Sequence, residues 1–338
     1  MVRSNLKNTL FFLLYISGFH LLSRRFQKMR VLILMYHGLT ESGSRDEWTQ
    51  LPAPVFEKQL RYISRTLNPV SMDDAVEYLA GRKELPPNPV VVTFDDGYES
   101  NYSTGLEILK KYDVPAVVFL TSSFIGTEEG GGKLLWFDLV YDIIAAWKAD
   151  TLDLCEHGLG RHDLRGHGSK ARAAEAIAES LKKWDRDKRA DLITELMKRQ
   201  VPESRSCHRG ATWERVRNSH PLLTSGAHTI NHEILSNLNR DSARREIAGS
   251  KHEIEKKTGM PTRFFAYPNG GAGDYTAETV RIVSECGFHA AVTTVEGFNQ
   301  RGDDLLELRR IGVGSDTGML WFKMAVTGTI DLLKRIGL

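Results

Sequence analysis

Short, wholly apolar runs alternating with amphipathic helical stretches constrain this chain more than any other feature. VLILMY (residues 31–36), PVVVTF (89–94) and AVVFL (116–120) show no polar alternation, so both faces of each predicted strand must be covered. Between them, residues 55–64 (VFEKQLRYIS) carry helical periodicity, Ser71 with Asp74 marks a capped helix through Ala80, and residues 101–111 read as helical. Strand–helix–strand units of this kind imply parallel pairing with helices outside, an α/β fold. The alternation resumes later with a helix near Thr212, the segment SGAHTINHEILSNL, a long helix over 241–258, the strand FFAYP, a helix over 276–285 and the strand AAVTT.

The interruption runs from near Gly126 to about Arg209 and reads as a mainly helical insertion, about 128–209. Residues 134–147 form an apolar helical pattern and residues 169–199 a charged one. His157, His162 and His167 lie between these helices amid glycines, where no carboxylate or cysteine converges in the sequence, so they read as solvated loop residues. Cys155, Cys207 and Cys286 are odd in number and lack C-x-x-C spacing, which argues against disulfides or a thiolate metal site and leaves buried free thiols.

Residues 8–23 (NTLFFLLYISGFHLLS) carry no formal charge and are flanked by Arg3 and Lys7 before and Arg24, Arg25, Lys28 and Arg30 after. The stretch is shorter than the roughly 20 apolar residues that cross a bilayer, so residues 1–30 read as an interfacial helix and basic linker on a membrane surface. The alternatives are a cleaved signal, for which no A-x-A site follows, and a helix packed on the domain. The closing segment, 319–338, reads as an amphipathic helix that packs beside the first segment or touches lipid. With 45 basic and 43 acidic side chains, a net charge of +2 gives no global field for nucleic acid.

Two patterns carry chemistry. Asp95 and Asp96 end a buried strand and precede Gly97, where paired carboxylates are costly unless a cation neutralises them; the bland alternative is a turn with solvated aspartates. His228 and His232 stand four apart, a spacing that lets two imidazoles on a helical turn share one ion. One carboxylate with two histidines leaves coordination positions open, as a catalytic metal requires.

Together TFDDGY (93–98), HTINH (228–232) and RFFAYPNG (263–270) resemble the polysaccharide deacetylase family, also called the NodB-homology domain or carbohydrate esterase family 4. The resemblance covers roughly residues 31–314, within a domain spanning 31–318, apart from the insertion. It implies a distorted (β/α) barrel with its site at the carboxyl ends of the strands. It implies Asp95 as general base, Asp96, His228 and His232 as ligands of a divalent metal, zinc foremost with cobalt or nickel as alternatives, Arg263 as partner of Asp95, and the Tyr267 backbone N–H as an oxyanion donor. Pro268 and Gly270 would fix that loop.

The family's late L-x-H motif is missing, since residues 306–311 read LELRRI. Some members resemble a permutation in which the histidine comes from an early strand, which makes His37 the expected general acid, in its imidazolium form. The implied activity is hydrolysis of N-acetyl groups from an amino sugar, in a surface polysaccharide or, given the amino terminus, a lipid-linked saccharide at a membrane. The rivals are deformylation of a lipid-linked aminosugar and a carbohydrate-binding module without turnover.

Overall fold

The apolar runs form strands covered on both faces, and the sheet they build closes on itself. A computed structural model describes residues 11–41, 47–127, 132–201 and 208–335. Its barrel strands are β1 (Leu32–Tyr36), β2 (Pro89–Phe94), β3 (Ala116–Leu120), β4 (Leu223–Ala227), β5 (Phe264–Ala266), β6 (Ala290–Glu296) and β7 (Leu308–Gly312). They pair in that order, all parallel, and β7 returns to β1, closing a seven-stranded barrel. Alternate residues serve two cores: Ile33, Val91, Val117 and Val292 face one another inside the barrel, while Leu34, Val92 and Val118 face the outer helices. Ser71 caps the helix Met72–Leu79 by accepting from the Asp74 N–H at 3.1 Å, and its Met72, Ala75, Val76 and Leu79 join the inner core.

The insertion has a core of its own, in which Ile143, Leu152, Ile177 and Leu196 meet. Its charged stretch is not one helix but two, His167–Leu181 and Arg186–Arg199, because Asp185 starts the second by accepting from the Asp187 N–H at 2.9 Å. The helix Trp136–Ala146 precedes them, and an antiparallel hairpin, Thr151–Leu154 with Gly160–Asp163, is an addition to the sequence reading. The three histidines do not converge. His157 does meet carboxylates, Glu195 at 3.2 Å and Glu156 at 3.5 Å, in a partly exposed group, while His162 bonds the Leu159 carbonyl.

The thiols are not buried as expected: Cys155 is exposed and Cys286 half-buried, both free, and Cys207 lies outside the described residues. So do residues 1–10, with Arg3 and Lys7 of the amino-terminal segment, the start of the insertion at 128–131, and 336–338.

The first and last described segments meet. Residues 11–16 and Phe19–Phe26 are helical, and the closing segment is two helices, Met319–Val326 and Thr329–Arg335, broken at Gly328 with φ 74°. Lys323 donates to the Tyr15 hydroxyl at 2.8 Å and Arg30 pairs with Asp331 at 3.0 Å. The other face stays open, leaving Phe12, Leu13, Ile16, Leu21, Leu22 and Phe26 exposed. Among the described residues no helix is long and apolar enough to cross a membrane.

Candidate active site

The carboxyl end of β2 delivers the aspartates. Asp95 is held by its N–H to the Tyr36 carbonyl of β1 at 2.9 Å, and the chain then reverses through two residues of positive φ, Asp96 at 74° and Gly97 at 96°. A side chain at Gly97 would meet Ile125 and Leu120 at 2.8 Å, so glycine is needed for space as well as conformation. Both aspartates are buried, yet neither oxygen of Asp96 has a hydrogen-bond partner among the described residues. Burial, then the neighbouring Asp95 charge, pushes the Asp96 carboxyl well above its ordinary range.

Asp95 has the opposite environment. The Arg310 guanidinium, from β7, grips both of its oxygens at 2.7 Å, and also donates to the Thr293 carbonyl at 2.8 Å and the Thr93 hydroxyl at 3.2 Å. Although burial works to raise it, the Arg310 charge with those of His228 and His37 holds the Asp95 carboxyl down at about 2. The arginine partner expected from the sequence is therefore corrected: Arg263 pairs with Asp73 at 2.7 Å in a half-exposed bridge. Arg263 precedes β5 at the amino end of that strand, whereas Arg310 lies within β7 and faces inward.

The histidines sit on an irregular loop after β4, not on a helical turn. Thr229 and His232 have φ of 62° and 55°, and Glu246 clamps the loop by accepting from the N–H groups of Ile230 and Asn231 at 2.9 Å and the Asn231 amide at 2.7 Å. His228 bonds the Ala266 carbonyl through Nδ1 at 2.8 Å, which turns Nε2 toward Asp96. Nε2 of His228 lies 3.6 Å and Nε2 of His232 3.4 Å from Asp96 Oδ1. Ligands each about 2.0–2.1 Å from a tetrahedral ion stand roughly 3.3–3.5 Å apart, so this trio fits one. Burial lowers the pKa of both imidazoles, favouring the neutral form that binds a cation.

A cavity of about 770 Å³ opens over the trio, walled by His37 and Trp48 on one side and by Phe137, Tyr141 and Lys182 of the insertion on another. His37 follows β1, packs edge-on against Trp48 at 5.4 Å, and has no hydrogen-bond partner for Nδ1 among the described residues. Burial pulls its pKa down to about 4 against the raising effect of Asp95, a direction that favours the neutral imidazole over the imidazolium.

Tyr267 also departs from expectation. Its N–H donates to the Val292 carbonyl at 3.2 Å within the barrel, and its buried ring stacks on Tyr275. The residue that reaches the cavity is Asn269, two positions on, with φ 57° and no hydrogen bond from its backbone N–H among the described residues. Gly270 fixes this turn, since a Cβ there would stand 2.9 Å from both the Thr294 nitrogen and the Tyr267 carbonyl.

Residues 82–202 and 208–291 match a family model described as polysaccharide deacetylase. The chain is 22% identical over 285 residues to YxkH of Bacillus subtilis (strain 168), covering 83% of this chain and 70% of that one. It is 28% identical over 95 residues to the poly-beta-1,6-N-acetyl-D-glucosamine N-deacetylase of Escherichia coli (strain K12), 28% of this chain and 14% of the other. In fold it resembles IcaB from Ammonifex degensii, with TM-score 0.57 and 21% identity over 88% of this chain and 97% of that one. It also resembles the Streptococcus pyogenes deacetylase PplD, with TM-score 0.55 and 19% identity over 88% and 99%.

Proposed function

The chain belongs to the polysaccharide deacetylase family, and on that premise we propose that it is a metal-dependent hydrolase removing N-acetyl groups from an amino-sugar polymer. The observation that carries this reading is the unbonded, buried carboxylate of Asp96 facing two imidazoles, beside a second carboxylate neutralised by a guanidinium. Asp96, His228 and His232 would hold the ion. When bound it would supply Lewis acidity that raises the acidity of water and polarises the acetyl carbonyl, with zinc the best match to one oxygen and two nitrogen donors and cobalt or nickel next.

The remaining work falls to side chains of this chain. Asp95 draws the proton from the attacking water, but with Arg310 on both oxygens it is too weak a base to keep it. Neutral His37, with Nδ1 unbonded, holds a proton better and delivers it to the departing nitrogen. The Asn269 N–H is the donor available to the oxyanion. Trp48, partly exposed in the cavity wall, offers a flat apolar face to a sugar ring.

The test is acetate and free-amine release from N-acetylglucosamine polymers, with chelator and with zinc restored. Release that chelation abolishes and zinc returns is expected; no release with any of zinc, cobalt or nickel would sink the reading.

Membrane attachment is a separate proposal, supported by the exposed row from Phe12 to Phe26 beside Arg24, Arg25 and Lys28. It is also the sole support for a lipid-linked saccharide as substrate. Equal binding to anionic vesicles by the full chain and by its Phe12→Ser/Leu13→Ser/Ile16→Ser variant would remove it.

A further inference from the structure

Buried polar contacts fasten the insertion to the barrel. In one group His208, at the insertion's return, is held between Glu47, from the loop after β1, at 2.6 Å and Asp142 of the helix Trp136–Ala146 at 2.8 Å. Asp138, one turn before Asp142, accepts from the Tyr98 hydroxyl at 2.9 Å. A different contact reaches the active site. Arg189, on the helix Arg186–Arg199, donates to both carboxylate oxygens of Glu233 at 3.0 Å, and the two side chains are only 5% and 8% exposed. Its guanidinium also lies 4.6 Å from the centre of the Trp136 ring. Glu233 directly follows His232, one of the three residues that would hold the ion.

The two imidazoles of the centre are oriented by different means. His228 has its Nδ1 bonded to the Ala266 carbonyl at 2.8 Å, the support that a metal-binding histidine ordinarily carries. His232 lacks it: its Nδ1 is buried and meets no hydrogen-bond partner from another residue among the described residues. What touches its ring from outside the barrel is the insertion. Phe137 stands edge-on to it at 5.1 Å and edge-on to Trp136 at 5.5 Å, and Arg189 lies on the Trp136 face. His232 is also held at φ 55°, a backbone conformation that persists in a non-glycine residue only where its surroundings impose it. Glu246 ties down the loop just before it, at Ile230 and Asn231, and Arg189 ties it down just after, at Glu233. Resting on the metal-site reading above, we propose that Arg189 is a positioning residue: its bond to Glu233 and its stacking on Trp136 set the His232 imidazole for the ion, so that the insertion completes the barrel's metal centre.

The test is zinc and cobalt(II) binding by the full-length protein. In Arg189→Met the zinc dissociation constant should rise about 10–100-fold and the visible absorption of the cobalt(II) form should change shape. Neither Arg189 nor Glu233 is among the described residues that line the cavity, so kcat should fall while KM holds. Because Arg189→Met strands a buried carboxylate, the double variant Arg189→Met/Glu233→Gln, which leaves no buried charge unpaired, is measured beside it and should bind zinc as weakly. Leu152→Ala, which empties part of the insertion's own core, should lower the melting temperature yet keep the wild-type zinc affinity and cobalt spectrum. Wild-type zinc affinity in the double variant, or an equal loss of affinity in Leu152→Ala, overturns the proposal and leaves the ion site standing. A wild-type protein that takes up neither zinc nor cobalt removes the ion site, and the proposal with it.

Discussion

Two buried groups of aspartate and histidine lie side by side in this protein, and they differ in what surrounds them. At the barrel rim both oxygens of Asp96 are unbonded and a cavity of about 770 Å³ opens above, while the neighbouring Asp95 is neutralised by Arg310. In the cluster around His208 the support comes from within, from Asp142 and Tyr98, and every member is at most 5% exposed. An open, unbonded carboxylate beside a charge-balanced base suits turnover; an imidazole closed between two carboxylates, Asp142 at 2.8 Å and Glu47 at 2.6 Å, suits structure. Similar residue types thus take different tasks according to access and to the partner of the nearest charge.

Asp95→Asn is the strongest way to break that distinction. It removes the proton acceptor and leaves the three ion ligands, so turnover falls on the order of 10³-fold while zinc content holds, and the buried Arg310 loses its counter-charge, so the melting temperature falls as well. The same amide exchange at Asp138 acts the other way, lowering thermal stability while leaving zinc content and the proton acceptor in place. Kinetics, metal analysis and melting of the two proteins side by side decide it, and an active Asp95→Asn enzyme would merge the two clusters' roles.

Arg310→Met comes next. It strands a fully buried carboxylate, and breaking such a pair costs about 3–5 kcal/mol, so denaturant unfolding should shift by that much. The double variant Arg310→Met/Asp95→Asn should regain most of the loss. Without that recovery, the pairing is not what balances the open centre.

His37 tests the access side through pH. Its folded pKa of about 4 lies below the ordinary 6.5, so the neutral form is lost only as pH falls through about 4. If the free enzyme needs that form, kcat/KM stays level from neutral pH down and drops near pH 4, and His37→Gln loses roughly 10² in turnover together with that limb. A rate that instead declines as pH rises through 6.5 would make the imidazolium the working form.

What the sequence discloses follows from how local each feature is. The apolar runs of β1, β2 and β3 and the aspartates at the end of β2 are legible because strand, turn and charge lie within a few residues. The bond from Arg310 to Asp95 spans 215 positions, and no motif order reveals it. One signal was there: in LELRRIGV, Leu308 and Arg310 point inward and Arg309 outward, the period of a strand carrying a buried charge. The histidine pair is legible as ligands but not in conformation, since the loop with positive φ at Thr229 and His232 is held by Glu246, 15–16 positions on in the next α-helix. The hairpin Thr151–Leu154 with Gly160–Asp163 was hidden because only Leu152 and Leu154 mark its buried face.

The smallest effect expected is at Arg263, and it sharpens the charge assignment of the open centre. Its side chain is 43% exposed and that of Asp73 35%, so solvent screens the bridge and Arg263→Met should cost roughly 0–1 kcal/mol. Asp95 already has both oxygens occupied by Arg310, which leaves Arg263 no part in holding it ionised. Turnover and its pH profile should therefore match the wild type, whereas Arg310→Met changes both. A loss of about tenfold or more in kcat/KM from Arg263→Met would mean that a second guanidinium reaches the centre during turnover. The barrel would then have to bring the amino end of β5 toward the opposite rim, a movement that its closed pairing of seven strands opposes.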